Sequence, residues 1–468
     1  MQHKASLTEG PVGRSLIRLT LPMIGGAFSI VAFNLADTYF VGQLGKAPLA
    51  AMGFTMPVVF IVASIALGLG VGAASVISRA IGKGNVQRVR RLTTDAMFLA
   101  LVIVAMFLTA GLLTIDATFR MLGADAETLP LIRQYMEVWY FGMLFVVIPM
   151  IGNNALRASG DTLTPGLIML IAAALNIILD PLLIFGLWGF PRLGLAGAAW
   201  ATVFSRMVTM IASLSILHFR KGMLTRRWPG LRTLGKSWKA ILYVGLPAAA
   251  TNILTPLSGA VVIRVLSDFG EAAVAGAGAG MRVQAFVMLV PMAMSSVLVP
   301  FIGQNWGAGK TGRALRALKL SQTFAMVWGG VCLAVMLLAG RVIAAQFSDS
   351  PDVVEAMEQF LWITPIAYGL VANFQLALAA FNAINRPLVS AAMNLLRMVV
   401  LYVPLAYVAS LLWGYDGVFI GIVVANCLSG GLAGAAARRV LHRGHAEAQF
   451  TAATIPQMPE DPREAGIG

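Results

Sequence analysis

Charge is what this chain has least of. Only 12% of its 468 residues are Asp, Glu, Lys or Arg, against 58% hydrophobic, and the mean hydropathy is +0.81. A soluble domain with that balance would carry more apolar surface than it can hide. Cysteine is nearly absent. Cys332 and Cys427 both lie inside apolar runs, which leaves no disulfide framework and no zinc site to read. The four histidines, His3, His218, His442 and His445, all fall in polar segments. With no histidine at membrane depth and no HExxH or GxSxG pattern, an intramembrane enzyme has no visible machinery. Acids number 20 against 34 bases, for a formal charge of +14, a balance also met in nucleic-acid binders. Here the bases sit between apolar runs, where membrane topology places them, so nucleic acid is not expected as a partner.

What the chain does have is a series of apolar runs near or beyond the ~20 residues that cross a bilayer. Twelve spans are predicted, at roughly 15–43, 49–78, 91–115, 132–157, 164–188, 193–217, 239–266, 273–304, 316–341, 356–383, 388–413 and 416–438. The first is too long for a cleavable signal and lacks a small-residue cleavage site, so it reads as a retained span. Prolines 22, 57, 149, 181, 247, 256, 291, 365 and 404 lie within the spans, and each is expected to bend or break its helix.

Most Lys and Arg fall on the side that holds the N-terminus: Lys4, Arg14, Arg79, Lys83, Arg88 and Arg91 early on, the 220–239 cluster, then Lys310, Arg313, Arg386, Arg438 and Arg463. The opposite loops hold only Lys46, Arg120, Arg133, Arg192 and Arg341. That asymmetry places both termini in the cytoplasm. The chain also repeats itself. Leu21-Pro22 falls on Leu246-Pro247, Gly45 on Gly270, and Arg88 and Arg91 on Arg313 and Arg316. The expected organisation is therefore a first six-helix lobe (1–217), a basic linker (218–238), a second lobe (239–440) and a disordered tail (441–468). Parallel repeats of this kind imply a transporter with a central cavity. Gly309-Lys310-Thr311 imitates the end of a phosphate-binding loop, but Gln304 stands where the earlier glycine is required.

Two acids sit at membrane depth: Asp37 in span 1 and Asp180 in span 5. A charge there costs several kcal/mol and is a functional candidate by default. Asn176 stands one helical turn before Asp180 on the same face, and Thr202 enters span 6 at a similar depth. Two carboxylates, an amide and a hydroxyl allow two chemistries. They share a proton, or they coordinate a hard cation through oxygen, sodium being the best fit. The competing structural reading pairs each acid with an arginine such as Arg206. The second half lacks these acids, since Asp37 maps onto Val262 and Asp180 onto Val403. It has Arg282 and Arg397 at depth instead, either bonded between helices or facing an anionic group in the cavity. The 24 Met and 24 Phe suit a loose, adaptable pocket.

On these residues the chain resembles the multidrug and toxic-compound extrusion (MATE) family over nearly its full length. The resemblance is carried by Asp37-Thr-Tyr39-Phe-Val-Gly-Gln-Leu-Gly45, the Gly82-Lys-Gly-Asn85 loop, Arg157-Ala-Ser-Gly-Asp161 and Asn176-x-x-x-Asp180-Pro181. It implies an all-α membrane protein of twelve transmembrane helices in two pseudo-symmetric six-helix lobes. It also implies export of drugs, often organic cations, in exchange for H+ or Na+. Asp37, Asn176, Asp180 and Thr202 would form the cation site, with Arg282, Arg397 and Tyr39 as candidates for the cavity wall. Some relatives carry a further acid in the span that is 239–266 here. This chain offers only Thr251, Asn252 and Thr255, so coupling is expected in the first lobe. The expectation is a monomeric antiporter of the bacterial inner membrane with no resident cofactor. The alternative is a lipid-linked precursor flippase of the same superfamily, which the two arginines would suit.

Overall fold

The computed structural model describes residues 6–227 and 230–454, with side chains through residue 447. Lys4 and Arg463, counted above on the N-terminal side, lie outside the described residues, as do 455–468 of the tail. Among the described residues all regular structure is helical. The first lobe comprises α1 (Val12–Gly42), α2 (Lys46–Gly82), α3 (Val86–Met121), α4 (Thr128–Ala158), α5 (Leu163–Phe185) and α6 (Leu195–Ser215). The second comprises α7 (Leu231–Leu266), α8 (Glu271–Val287), α9 (Leu289–Gly307), α10 (Thr311–Ala344), α11 (Pro351–Ile363), α12 (Tyr368–Ala383), α13 (Pro387–Leu395) and α14 (Val403–Thr454).

Among the described residues ten helical stretches are singly long and apolar enough to span, and the bent pair α8–α9 makes eleven. The twelfth comes from α14, whose backbone leaves helical geometry at Trp413 and Gly414. Beyond that point Gly417 packs back against Ala409 and Gly421 against Leu405, as in an antiparallel hairpin. The combination of φ +62° and ψ −139° that residue 414 needs for this reversal is one that glycine, without a Cβ, adopts most readily.

Proline acts less uniformly than expected. Pro22, Pro57, Pro149, Pro181, Pro247 and Pro256 all lie inside continuous helices. At Pro291 the outcome differs: α8 and α9 meet at 42° around Met288. Pro291 has no N–H for the Val287 carbonyl, and Trp328 Nε1 donates to that oxygen instead, at 3.2 Å. Pro365 is absorbed in the 3-10 turn Thr364–Ala367, and Pro404 follows a π-turn at Leu396–Tyr402.

The tail assignment needs correction. Residues 441–454 are not a disordered tail but a continuation of α14. Leu441 is buried, Gly444 lies against Trp306, and His445 Nδ1 bonds Thr311 Oγ1 at 3.0 Å. That contact, with helix-favouring Ala, Leu and Arg, carries the helix past the membrane. The linker is also shorter than expected, because a π-turn carries α6 to Arg220 and α7 begins at Leu231.

The lobes meet tightly toward the face where α1 begins. Gly68 and Gly72 of α2 press on the 241–249 segment of α7, where any Cβ would collide with backbone. Nearer that face, Gln304 is completely buried. It accepts from the Leu7 N–H at 3.2 Å and donates to the Ala158 carbonyl at 2.7 Å. Asn305 donates to Leu7, Lys310 to Thr8 and Arg313 to Gly10. The turn Ser6–Gly10 is thus wedged between the lobes, and Lys310 serves this wedge rather than a phosphate. Among the described residues, every hydrogen bond between α1–α6 and α8–α14 lies on this half of the bundle. At mid-depth the rings of Phe28 (α1) and Phe286 (α8) touch edge to face, with centroids 5.0 Å apart. Beyond them Leu35, Tyr39, Phe60, Leu257 and Val261 are exposed, and with no hydrogen bond between the lobes there among the described residues, a cleft is left on the side away from the N-terminal face.

Candidate functional site: a carboxylate cluster and a cleft

Small residues bring the site helices together. Gly166 of α5 sits against the Pro22 carbonyl of α1, 2.6 Å from where a Cβ would stand. Gly197 of α6 packs equally closely on Leu183 of α5. With α1, α5 and α6 held at these crossings, Asp37, Asp180 and Thr202 come to one level. Asp180 and Asn176 are fully buried and Asp37 is 6% exposed. Asp180 lies within electrostatic range of Asp37. The Asn176 amide satisfies both of its neighbours when its nitrogen donates to Asp180 Oδ2 at 2.9 Å and its oxygen accepts from the Thr202 N–H at 3.3 Å. Asp37 Oδ1 has no hydrogen-bond partner. Pro181 leaves the carbonyl of Ile177, one turn earlier, without its usual donor.

Arginine pairing does not account for these acids. Among the described residues the ion pairs are Arg91–Asp95, Arg133–Asp116, Lys221–Asp161 and Arg264–Asp268, and none reaches Asp37 or Asp180. Arg206 instead places its guanidinium over the Phe33 ring, 5.3 Å from its centre. One group escaped the sequence reading. Tyr135 of α4, buried, lies within electrostatic range of both carboxylates. Its signal was weak, being a single tyrosine in an otherwise unremarkable apolar span.

The arginines of the second lobe divide. Arg397 is buried, donates from Nε to Asn426 Oδ1 at 3.0 Å and lies over the Phe374 ring. It is engaged between helices. Arg282 is exposed, and its i+4 neighbour Phe286 is the residue that touches Phe28 of the other lobe. The Arg282 side of α8 is therefore the cleft side. Tyr39, 64% exposed, lies eleven residues beyond Phe28 on α1, about three turns along the same face.

The MatE family model matches twice, over residues 22–182 and 247–408, one copy in each lobe. A FAD transporter of Shewanella oneidensis is 39% identical over 430 residues, covering 92% of this chain and 95% of that one. The multidrug export protein MepA of Staphylococcus aureus is 27% identical over 427 residues, covering 90% and 92%. The crystal structure of the Vibrio cholerae MATE transporter VcmN in its bent form superposes with a TM-score of 0.89 at 28% identity, covering 95% of this chain and 99% of that one. The protein is a multi-pass membrane transporter, not an enzyme, and the chain belongs to the MatE family.

Proposed function

We propose that the protein is a cation-coupled exporter working by alternating access, with Asp37 and Asp180 as the coupling site. The observation that carries this reading is the pair of buried carboxylates, Asp180 held by Asn176 and neither acid ion-paired to a basic group among the described residues. Two such groups hold a proton between them or, with Thr202 and the Asn176 amide, a sodium ion. Either ion, entering down its gradient, neutralises the site. That biases the lobes between a state open on one face and a state open on the other. The basic loops put the closed, N-terminal face in the cytoplasm of a bacterial inner membrane. The coupling ion is the only inorganic partner this scheme needs, and one chain holds the whole site.

The broad cargo class is drugs and other amphipathic compounds, a reading supported by the likeness to MepA, a multidrug export protein. A second reading of the cargo has its own support: Arg282 on the cleft wall suits an anionic group, and the Shewanella oneidensis relative is an FAD transporter. A lipid-linked precursor flippase shares the anion argument but gives the carboxylate cluster no task. Efflux from proteoliposomes under separately imposed proton and sodium gradients tests the reading. Uphill export driven by one of them is expected, and export that ignores both gradients refutes it.

A further inference from the structure

Among the described residues Arg282 is the arginine at membrane depth with no hydrogen bond, ion pair or ring contact. Arg397 is bonded to Asn426, Arg264 to Asp268, and Arg206 lies over Phe33. Arg282 stands eleven residues from the start of α8, about 16 Å along the helix, farther than its side chain can reach back to that end of the span. Facing lipid there would cost several kcal/mol. Facing the cleft, it stands in water. One turn further out the α8 wall is Gly278, with nothing within 4 Å of where a Cβ would be, and then Ala275. Opposite, the α1 wall offers Leu35 and Tyr39. One turn inward is the floor, the Phe28–Phe286 pair, with Phe286 still 52% exposed.

We infer that Arg282 and the Phe28–Phe286 pair form the seat for a cargo that joins an aromatic ring system to a phosphate: a flavin nucleotide. The planar guanidinium grips a phosphate through two parallel hydrogen bonds. The half-open phenylalanine edge gives a flat ring a surface to pack on. A compact cationic drug meets the wrong charge at this point. The cation and the cargo thus have separate stations, one inside the first lobe and one in the cleft. The inference rests on the exporter reading for its physiological meaning, but its binding test does not.

Equilibrium binding to the purified protein in detergent, read by flavin fluorescence anisotropy, compares FMN with riboflavin, which differ only in the phosphate. The wild type binds FMN about tenfold or more tighter, as expected for a charge-assisted phosphate pair. Arg282→Ala removes that preference and leaves riboflavin binding intact, which also reports that the variant is folded. Arg282→Lys restores part of it, and Phe286→Leu weakens both flavins together. A wild type without preference for FMN, or an Arg282→Ala protein that retains it, overturns the inference. So does a polyprenyl phosphate that displaces FMN as well as unlabelled FMN does, since that assigns the seat to a lipid headgroup. Ethidium efflux from proteoliposomes separates the two claims. Ethidium export without FMN preference leaves the exporter standing and removes the flavin seat. FMN preference without export of either compound does the reverse.

Discussion

Asn176 and Asp180 stand one turn apart on α5, and with the Asn176 amide turned so that both neighbours are satisfied, its nitrogen donates to the Asp180 carboxylate at 2.9 Å. That bond aims one lone pair of Asp180 and leaves the others free for an ion. Asn176→Leu should therefore weaken ion coupling without abolishing it. An increase of about tenfold in the sodium or proton concentration needed for half-maximal efflux is expected, near the worth of one hydrogen bond to a charged group. Unchanged ion dependence would remove Asn176 from the site.

The α1–α5 crossing sets the distance between the two acids. A methyl group at Gly166 would press on the Pro22 carbonyl, which being backbone has little room to give. Gly166→Ala should lower stability by about 1–3 kcal/mol and impair coupling more than insertion. Thermal unfolding in detergent, paired with efflux, measures both effects. Wild-type values in the two assays would contradict this view of the crossing.

The wedge Ser6–Gly10 should hold the N-terminal face shut. Gln304→Ala leaves the Leu7 N–H and the Ala158 carbonyl without partners, at about 1–3 kcal/mol for each buried group. Spin labels at Lys83 and Arg386, one on each lobe, should show a new population at longer distance. An unchanged distance distribution would show that the glycine contacts between α2 and α7 close this face alone.

The linker is tied to the first lobe outside the membrane. Lys221 Nζ meets Asp161 Oδ2 at 2.8 Å. Burial alone would raise the Asp161 carboxyl, but the Lys221 hydrogen bond and charge and the Thr164 donors hold it below the ordinary carboxylate range. A depressed folded-state pKa makes the tie complete above the ordinary value of about 4 and lost only as pH falls through the lower one. Proteolysis at residues 220–227 should therefore be flat from pH 5 to 8 in the wild type and faster throughout in Asp161→Asn. Release of the wild-type linker near pH 6 would contradict this.

Much of this was legible in the sequence. Long apolar runs give membrane-spanning helices, because lipid satisfies no backbone group. The repeat gave the two lobes, and Asp37 and Asp180 stood out because a carboxylate at depth is expensive. What was not legible depended on side-chain partners across helices. Arg282 and Arg397 look alike in sequence, yet one is open and the other bound to Asn426, a residue 29 positions away. Tyr135 joins the cluster through packing of α4, which no local pattern announces. The helical continuation past residue 440 rests on contacts to Trp306 at the end of α9 and Thr311 at the start of α10, invisible to composition. At Met288 the helix breaks, and Trp328, on a distant helix, takes up the carbonyl that Pro291 leaves free.

The most direct test of the central claim is cargo efflux from proteoliposomes holding the wild type, Asp37→Asn and Asp180→Asn, each under an imposed ion gradient. Removing either charge should abolish gradient-driven efflux while the protein remains folded, inserted and able to bind cargo. Full gradient-driven efflux by the Asp37→Asn protein would contradict the account.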